Sequence, residues 1–314
     1  YAPESISSLV IFILVFIIGI PGNGLVIWVA GLKMKRSVNI IWFLNLAVAD
    51  FMCCLSLPFE IVHLFLNAHW PYGWFLCKVI PSVIIFTMFA SVFLLTVISI
   101  DRCLLVMKPV WCQNHRTVKF ISLVCSGIWI LAFIICCPVF HYRTTITDGG
   151  KTECGYDFGD YEIPEYMDDS DPAVFGDNDY AVSLPLIVIT ITRAVFGFIL
   201  PFSIVAACYA FIAFRMRASN YRKPQNKMLK TIILVVVAFF ICWAPYHTVG
   251  ILSLVATPGT ELKESLILWD HLSVALAYAN SCINPLLYVF VGRDFRAKAR
   301  QSLQGVLERV FTEE

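Results

Sequence analysis

The stretch that decides the fold runs from Ser37 to Leu66 and reads SVNIIWFLNLAVADFMCCLSLPFEIVHLFL. Most of its side chains are apolar, yet Asp50 stands near its middle. A helix of about 20 mostly apolar residues crosses roughly 30 Å of hydrocarbon, and this stretch is longer than that. It is a long unbroken run and not a short alternating segment, which excludes the strand of a membrane β-barrel. Six further stretches read the same way: Ile6–Leu32, Trp74–Met107, Thr117–Phe140, Leu184–Met216, Lys227–Ala256 and Glu264–Val291. The 314 residues are 59% hydrophobic and 14% charged, a composition suited to lipid. The expected fold is an all-α membrane protein, a seven-transmembrane helix bundle over residues 1–291. A short amphipathic cytoplasmic helix and tail follow over residues 292–314, with Phe295, Leu303, Val306 and Leu307 on one face and Arg296, Lys298 and Arg300 on the other.

The net charge of +1 says little, but its distribution orients the chain. Of the 23 Lys and Arg, only Lys78, Arg143, Lys151, Arg193 and Lys263 lie toward one side of these spans. The basic side is cytoplasmic by the positive-inside rule, which places Tyr1 outside and Glu314 inside. The loop from His141 to Ser183 on the outer side holds half of the chain's 22 acids. It reads either as a solvated loop or as an acidic platform for a basic extracellular partner. Tyr156, Tyr161 and Tyr166, set among those acids, are candidates for sulfation.

Most of the 12 cysteines fall inside spans, where a thiol serves as a small apolar side chain. Cys136 and Cys137, near an outer helix end, read either way. Cys77 opens the third span on the outer side and Cys154 sits in the acidic loop, so these two form the natural oxidised pair outside the cell. No paired Cys-x-x-Cys spacing for a metal is present.

Asp50 must be protonated, paired or beside a cation. Ser91, Asn280, Ser281 and Asn284 are small polar groups at a similar depth in other spans, and a hydrogen-bonded packing knot is the plainer reading of the set. Asp101-Arg102 closes the third span at the cytoplasmic edge, where the arginine either snorkels to lipid or joins a pair that a partner breaks. Pro201, Pro245 and Pro285 interrupt the fifth, sixth and seventh spans, each removing a helix hydrogen bond and inviting a kink.

In chain order, Gly22-Asn23, Leu46 to Asp50, Asp101-Arg102-Cys103, Trp129, Pro201, Tyr209, Cys242-Trp243-Ala244-Pro245 and Asn284-Pro285-Leu286-Leu287-Tyr288 supply one set per span. The ordered set resembles the rhodopsin-like (class A) G-protein-coupled receptors over nearly the whole chain. Cys103 departs from the tyrosine more often found after Asp-Arg. The resemblance implies that Asp50, Ser91, Asn280 and Ser281 hold a sodium ion in the inactive state, with no other cofactor. Trp243 would form the rotamer-sensitive floor of the ligand pocket. Arg102, released on activation, would meet a heterotrimeric G protein, with Tyr209 and Tyr288 turning inward to support it.

The outer half of the third span, Pro81 to Thr87, has no acid to anchor an amine, and the seventh span has Tyr278 but no interior lysine to attach retinal as a Schiff base. What remains is Arg143 at the outer end of the fourth span, Arg193 about 13 Å into the fifth, and Asp270 in the outer part of the seventh, with His271 next to it and Tyr246 of the sixth span as further ligand-binding candidates. Either Arg193 and Asp270 neutralise each other, or the three form one recognition device. Two guanidiniums suit a carboxylate and one carboxylate suits a cation. A basic peptide ending in arginine offers both, and losing that arginine should abolish its activity.

The stretches Trp70 to Gly73, Val106 to Arg116, Thr190 to Arg193 and Trp269-Asp270-His271 are similar to the chemoattractant subgroup, and within it to the complement anaphylatoxin receptors. That resemblance implies a small basic ligand ending in arginine, inhibitory-type G proteins, and roles in chemotaxis and inflammation. The alternative is a related chemoattractant receptor for another peptide or a lipid. The second outer loop, His141 to Ser183, is shorter here than the exceptionally long one of the member of that subgroup it is most similar to. Duplicated halves, expected of a transporter, are missing. So are catalytically spaced His, Asp and Ser clusters, expected of an intramembrane enzyme.

Overall fold

The computed structural model describes residues 3–159, 183–218, 226–257, 259–291 and 297–304. Among the described residues seven helices are long and apolar enough to cross a membrane. The first runs Pro3–Trp28 and ends in a π-helical turn, Val29–Lys33. The next three are Val38–Phe65, Gly73–Met107 and Val118–Tyr142. The fifth is built from Leu184–Ala194, a π turn Val195–Ile199, and Leu200–Ala218. The sixth is Asn226–Val255 and the seventh Glu261–Val291, which begins a turn earlier than expected. A short helix, Pro109–His115, links the third and fourth. Residues 297 to 304 are helical, part of the expected amphipathic segment; the rest of it lies outside the described residues.

The third span is the axis of the bundle. Of its apolar window 72% is buried, against 28% in the first, fourth and fifth spans. Ile17, Leu123 and Phe214 project outward, as lipid-facing residues do when the surrounding solvent is apolar. Inside, Trp42, Phe89, Phe239 and Tyr278 are among the largest fully buried side chains. The second and fourth spans start on side-chain caps. Ser37 Oγ accepts from the Ile40 amide and Thr117 Oγ1 from the Phe120 amide, each satisfying a first-turn donor.

The prolines explain two local features. Pro285 has no N–H to give the Ser281 carbonyl four residues earlier. Asn23 Nδ2 of the first span donates to that carbonyl instead, at 2.8 Å, and also to the Gly19 carbonyl at 3.0 Å. Gly22 permits the approach, because a Cβ there would stand 3.2 Å from Pro285. Gly22-Asn23 is thus a clasp between the first and seventh spans. In the fifth span the residue four before Pro201 is Gly197, and the π turn lies across it. A Cβ on Gly197 would come within 2.9 Å of Met88 on the third span. A second clasp joins the second and fourth spans, where Trp129 Nε1 donates to Asn45 Oδ1 at 2.9 Å.

At one end of the bundle Arg143–Asp148 (β1) pairs antiparallel with Lys151–Tyr156 (β2). Gly149 and Gly150, with φ of 54° and 84°, supply the two positive-φ residues that a tight two-residue hairpin turn requires. Cys77 and Cys154 are disulfide-bonded, which ties β2 to the start of the third span. The Trp70 amide donates to the Thr152 carbonyl at 2.7 Å, fastening the hairpin to the preceding loop. The opposite end carries Asp101, Arg102 and Arg116. These are called below the disulfide end and the basic end.

Candidate functional site

A cavity of about 390 Å³ opens beneath the hairpin at the disulfide end. Arg143, Arg193, Tyr246, Asp270 and His271 all line it, although they come from four separate segments of the chain. Arg143 is the first residue of β1 and lies opposite Tyr156 in the hairpin register. Its guanidinium carbon sits 4.2 Å from the centre of the Tyr156 ring, and Nη1 donates to the Cys154 carbonyl at 3.2 Å. Its Nε is buried with no hydrogen-bond partner. Arg193 comes from the last turn before the π segment. Its Nη1 donates to the Tyr246 hydroxyl, Nη2 reaches Thr190 Oγ1 at 3.5 Å, and the guanidinium carbon lies 5.6 Å from the Tyr246 ring centre.

Among the described residues no ion pair joins Asp270 to either arginine. Arg193 is satisfied by neutral groups, so the reading in which Arg193 and Asp270 simply cancel has no contact behind it. The hairpin also brings in Tyr156, whose ring stacks on Phe158 and whose hydroxyl is buried without a partner. Tyr156, read from sequence as a sulfation candidate, therefore forms part of the cavity wall; Tyr161 and Tyr166 lie outside the described residues. Glu60, His63 and Thr190 line the cavity too, and none of them is among the ligand-binding residues chosen from the sequence. Thr190 sits one turn from Arg193 and was legible as its neighbour, whereas Glu60 carried no distinguishing signal.

Below the cavity Tyr246 meets Trp243 edge to face at 5.4 Å, and Trp243 packs on Phe239. Trp243 is 3% exposed with Nε1 unpartnered. A packed line thus runs from Arg193 through Tyr246 to Trp243, two residues before Pro245 in the sixth span.

Deeper still, Asp50, Ser91, Asn280 and Ser281 are all buried, at 2%, 4%, 3% and 4% exposure. Asn280 Oδ1 has no hydrogen-bond partner. A buried carboxylate, two hydroxyls and an unsatisfied amide oxygen are hard oxygen donors, a set that fits a small monovalent cation. No group of three or more His, Cys, Asp or Glu suited to a metal occurs among the described residues.

At the basic end Asp101 is held by Arg116, not chiefly by Arg102. Arg116 Nε and Nη2 reach Asp101 Oδ1 and Oδ2 at 2.7 and 3.0 Å, a bidentate pair. Arg102 Nη2 stands 3.7 Å from Asp101 Oδ2 and donates instead to Asn39 Oδ1 at 2.6 Å, which Arg116 also reaches at 2.9 Å. Tyr209 places a buried hydroxyl without a partner nearby in the fold. The Asn284 and Tyr288 side chains lie outside the described residues.

A seven-helix bundle with a disulfide-held hairpin over a polar cavity, and an arginine cage at its other end, is receptor architecture. The family model of the 7 transmembrane receptors (rhodopsin family) matches residues 22–288, and the chain belongs to that family. It is a G-protein-coupled receptor, a multi-pass protein of the plasma membrane, and not an enzyme. It is 40% identical to the C3a anaphylatoxin chemotactic receptor of Homo sapiens over 441 aligned residues, covering 99% of this chain and 92% of that one. The Danio rerio receptor of the same name is 43% identical over 308, covering 98% and 78%. The C5a anaphylatoxin chemotactic receptor 1 of Oryctolagus cuniculus is 40% identical over 314, covering 99% and 84%. The chain is thus related to both C3a and C5a receptors. The alignment with the human protein is longer than this chain, so that receptor carries segments with no counterpart here, in keeping with the short outer loop.

Proposed function

We propose that this receptor binds a basic anaphylatoxin-type peptide or small protein by its C-terminal arginine and signals through inhibitory-type G proteins in chemotaxis and inflammation. The ligand enters at the disulfide end, which faces outward together with the N-terminus. The supporting observation is the cavity that gathers Arg143, Arg193 and Asp270 while leaving them unpaired with one another. Arg143 and Arg193 take the terminal carboxylate through bidentate bonds, Asp270 with His271 takes the guanidinium, and Tyr246 relays occupancy of Arg193 to Trp243.

A ligand shifts a receptor only by binding its active form more tightly than its resting form. Here the shift frees Arg102 from Asn39 and opens a groove at the basic end for the G protein's terminal helix. Asp50, Ser91, Asn280 and Ser281 hold a sodium ion in the resting form, where it supplies the positive charge that a buried carboxylate needs.

The test uses cells expressing the receptor and synthetic peptides with and without the final arginine. Arginine-ended peptides should lower cyclic AMP, and their shortened counterparts should be inactive. Equal responses to both, or a response to lipids alone, would favour a related receptor with another ligand.

A further inference from the structure

Glu60 is a second acid in the cavity that the reading above does not use. It lines the cavity from the second span, one turn deeper than His63 and Leu64. Its side chain is 20% exposed, and the imidazole of His63, which carries charge only when protonated, places Nδ1 4.0 Å from Oε2. That exceeds hydrogen-bond reach, and no hydrogen bond to the Glu60 carboxylate is formed among the described residues. The Asp270 carboxylate is likewise without one; the Ser273 hydroxyl bonds the Asp270 backbone carbonyl instead. The charges that act on Glu60 are those of Arg143 and Asp270. A partly desolvated carboxylate is costly unless something compensates it. A second unpartnered group faces the same space: His247, 6% exposed, has a buried Nε2 without a partner in the cavity wall.

The cavity is therefore polarised, with acids on the second and seventh spans and guanidiniums on the hairpin and the fifth span. With both acids ionised, the empty cavity's two carboxylates and two arginines balance. A terminal arginine residue, carrying one carboxylate and one guanidinium, leaves that balance intact. Without the Glu60 charge the loaded cavity would hold a net positive charge.

We propose that Glu60 is the second cation-binding residue, gripping with Asp270 the guanidinium of the ligand's terminal residue and making the site prefer arginine over lysine. The inference rests on the arginine-ended reading above. A guanidinium presents five donors in a flat fork and can serve two carboxylates along two edges, whereas an ammonium is a compact point charge.

The test compares wild-type receptor, Glu60→Gln and Glu60→Asp in a cyclic AMP assay. Four synthetic peptides share one apolar body and end in arginine, citrulline, lysine or argininamide. Loss of a hydrogen bond to a charged group predicts that Glu60→Gln lowers arginine potency about tenfold or more. The arginine-to-citrulline and arginine-to-lysine ratios should shrink by a similar factor, while the arginine-to-argininamide ratio holds. Glu60→Asp, which withdraws the charge by one methylene, should keep the citrulline penalty and weaken the preference over lysine. It decides the matter if the glutamine variant fails to reach the surface. An unchanged citrulline penalty in Glu60→Gln, or an unchanged lysine preference in Glu60→Asp, overturns the role of Glu60 and leaves the arginine-ended reading standing. A wild-type receptor indifferent to citrulline overturns both.

Discussion

Replacing Arg193 with alanine is the most direct perturbation of the proposed socket. The guanidinium donates to the Tyr246 hydroxyl and reaches Thr190 Oγ1 at 3.5 Å, contacts that hold it in place over the cavity. Its energetic value lies in the carboxylate it would meet there. Hydrogen bonds to charged groups contribute about 1.5–3 kcal/mol each, and truncating one partner of a desolvated charge pair costs about 2–5 kcal/mol. A loss of about 3 kcal/mol corresponds to a fall in affinity of roughly 100-fold or more. The assay is a cycle: wild type and Arg193→Ala, each titrated with a peptide ending in free arginine and with its carboxamide, at matched surface levels. In the wild type, amidation should cost roughly 100-fold by the same energies. In the variant the penalty should shrink to about tenfold or less, because only Arg143 remains to sense the charge. An amidation penalty of the same size in both receptors would refute the reasoning, since Arg193 could not then be touching the carboxylate.

Arg116→Ala should release Asp101 from its bidentate pair. Basal nucleotide exchange, measured without ligand in membranes, should then rise several-fold, while Lys at this position restores part of the restraint. Asp50→Asn should abolish the effect of sodium on agonist affinity. Titrating sodium chloride against choline chloride at constant ionic strength separates that effect from screening.

The spans were legible because lipid imposes its demand on each segment alone. A helix crossing hydrocarbon must be apolar along its length whatever surrounds it, so local composition marks it. The disulfide was legible from compartment and position, with Cys77 at a span end and Cys154 in the facing loop. Arg143, Arg193 and Asp270 stood out because charges are rare in such segments. Gly149-Gly150 marks a turn locally, but nothing local reveals that it folds the Tyr156 strand back over Arg143, so Tyr156 was read as a loop residue. Asn39 and Arg116 escaped for a similar reason. Both lie near the membrane edge, where polar residues are ordinary, and only the bundle brings them onto Asp101 and Arg102.

By itself the sequence determined how many times the chain crosses, which end is basic, and which charged residues are too costly to be idle. Those are consequences of solvation, a property each residue carries with it. The tertiary structure decided who partners whom: that Asn23 completes the carbonyl Pro285 leaves open, that Arg116 and not Arg102 clasps Asp101, and that Glu60 shares a cavity with Asp270. Hydrogen bonds and charge pairs act over a few ångströms, so their pairing depends on helix packing that no single span encodes.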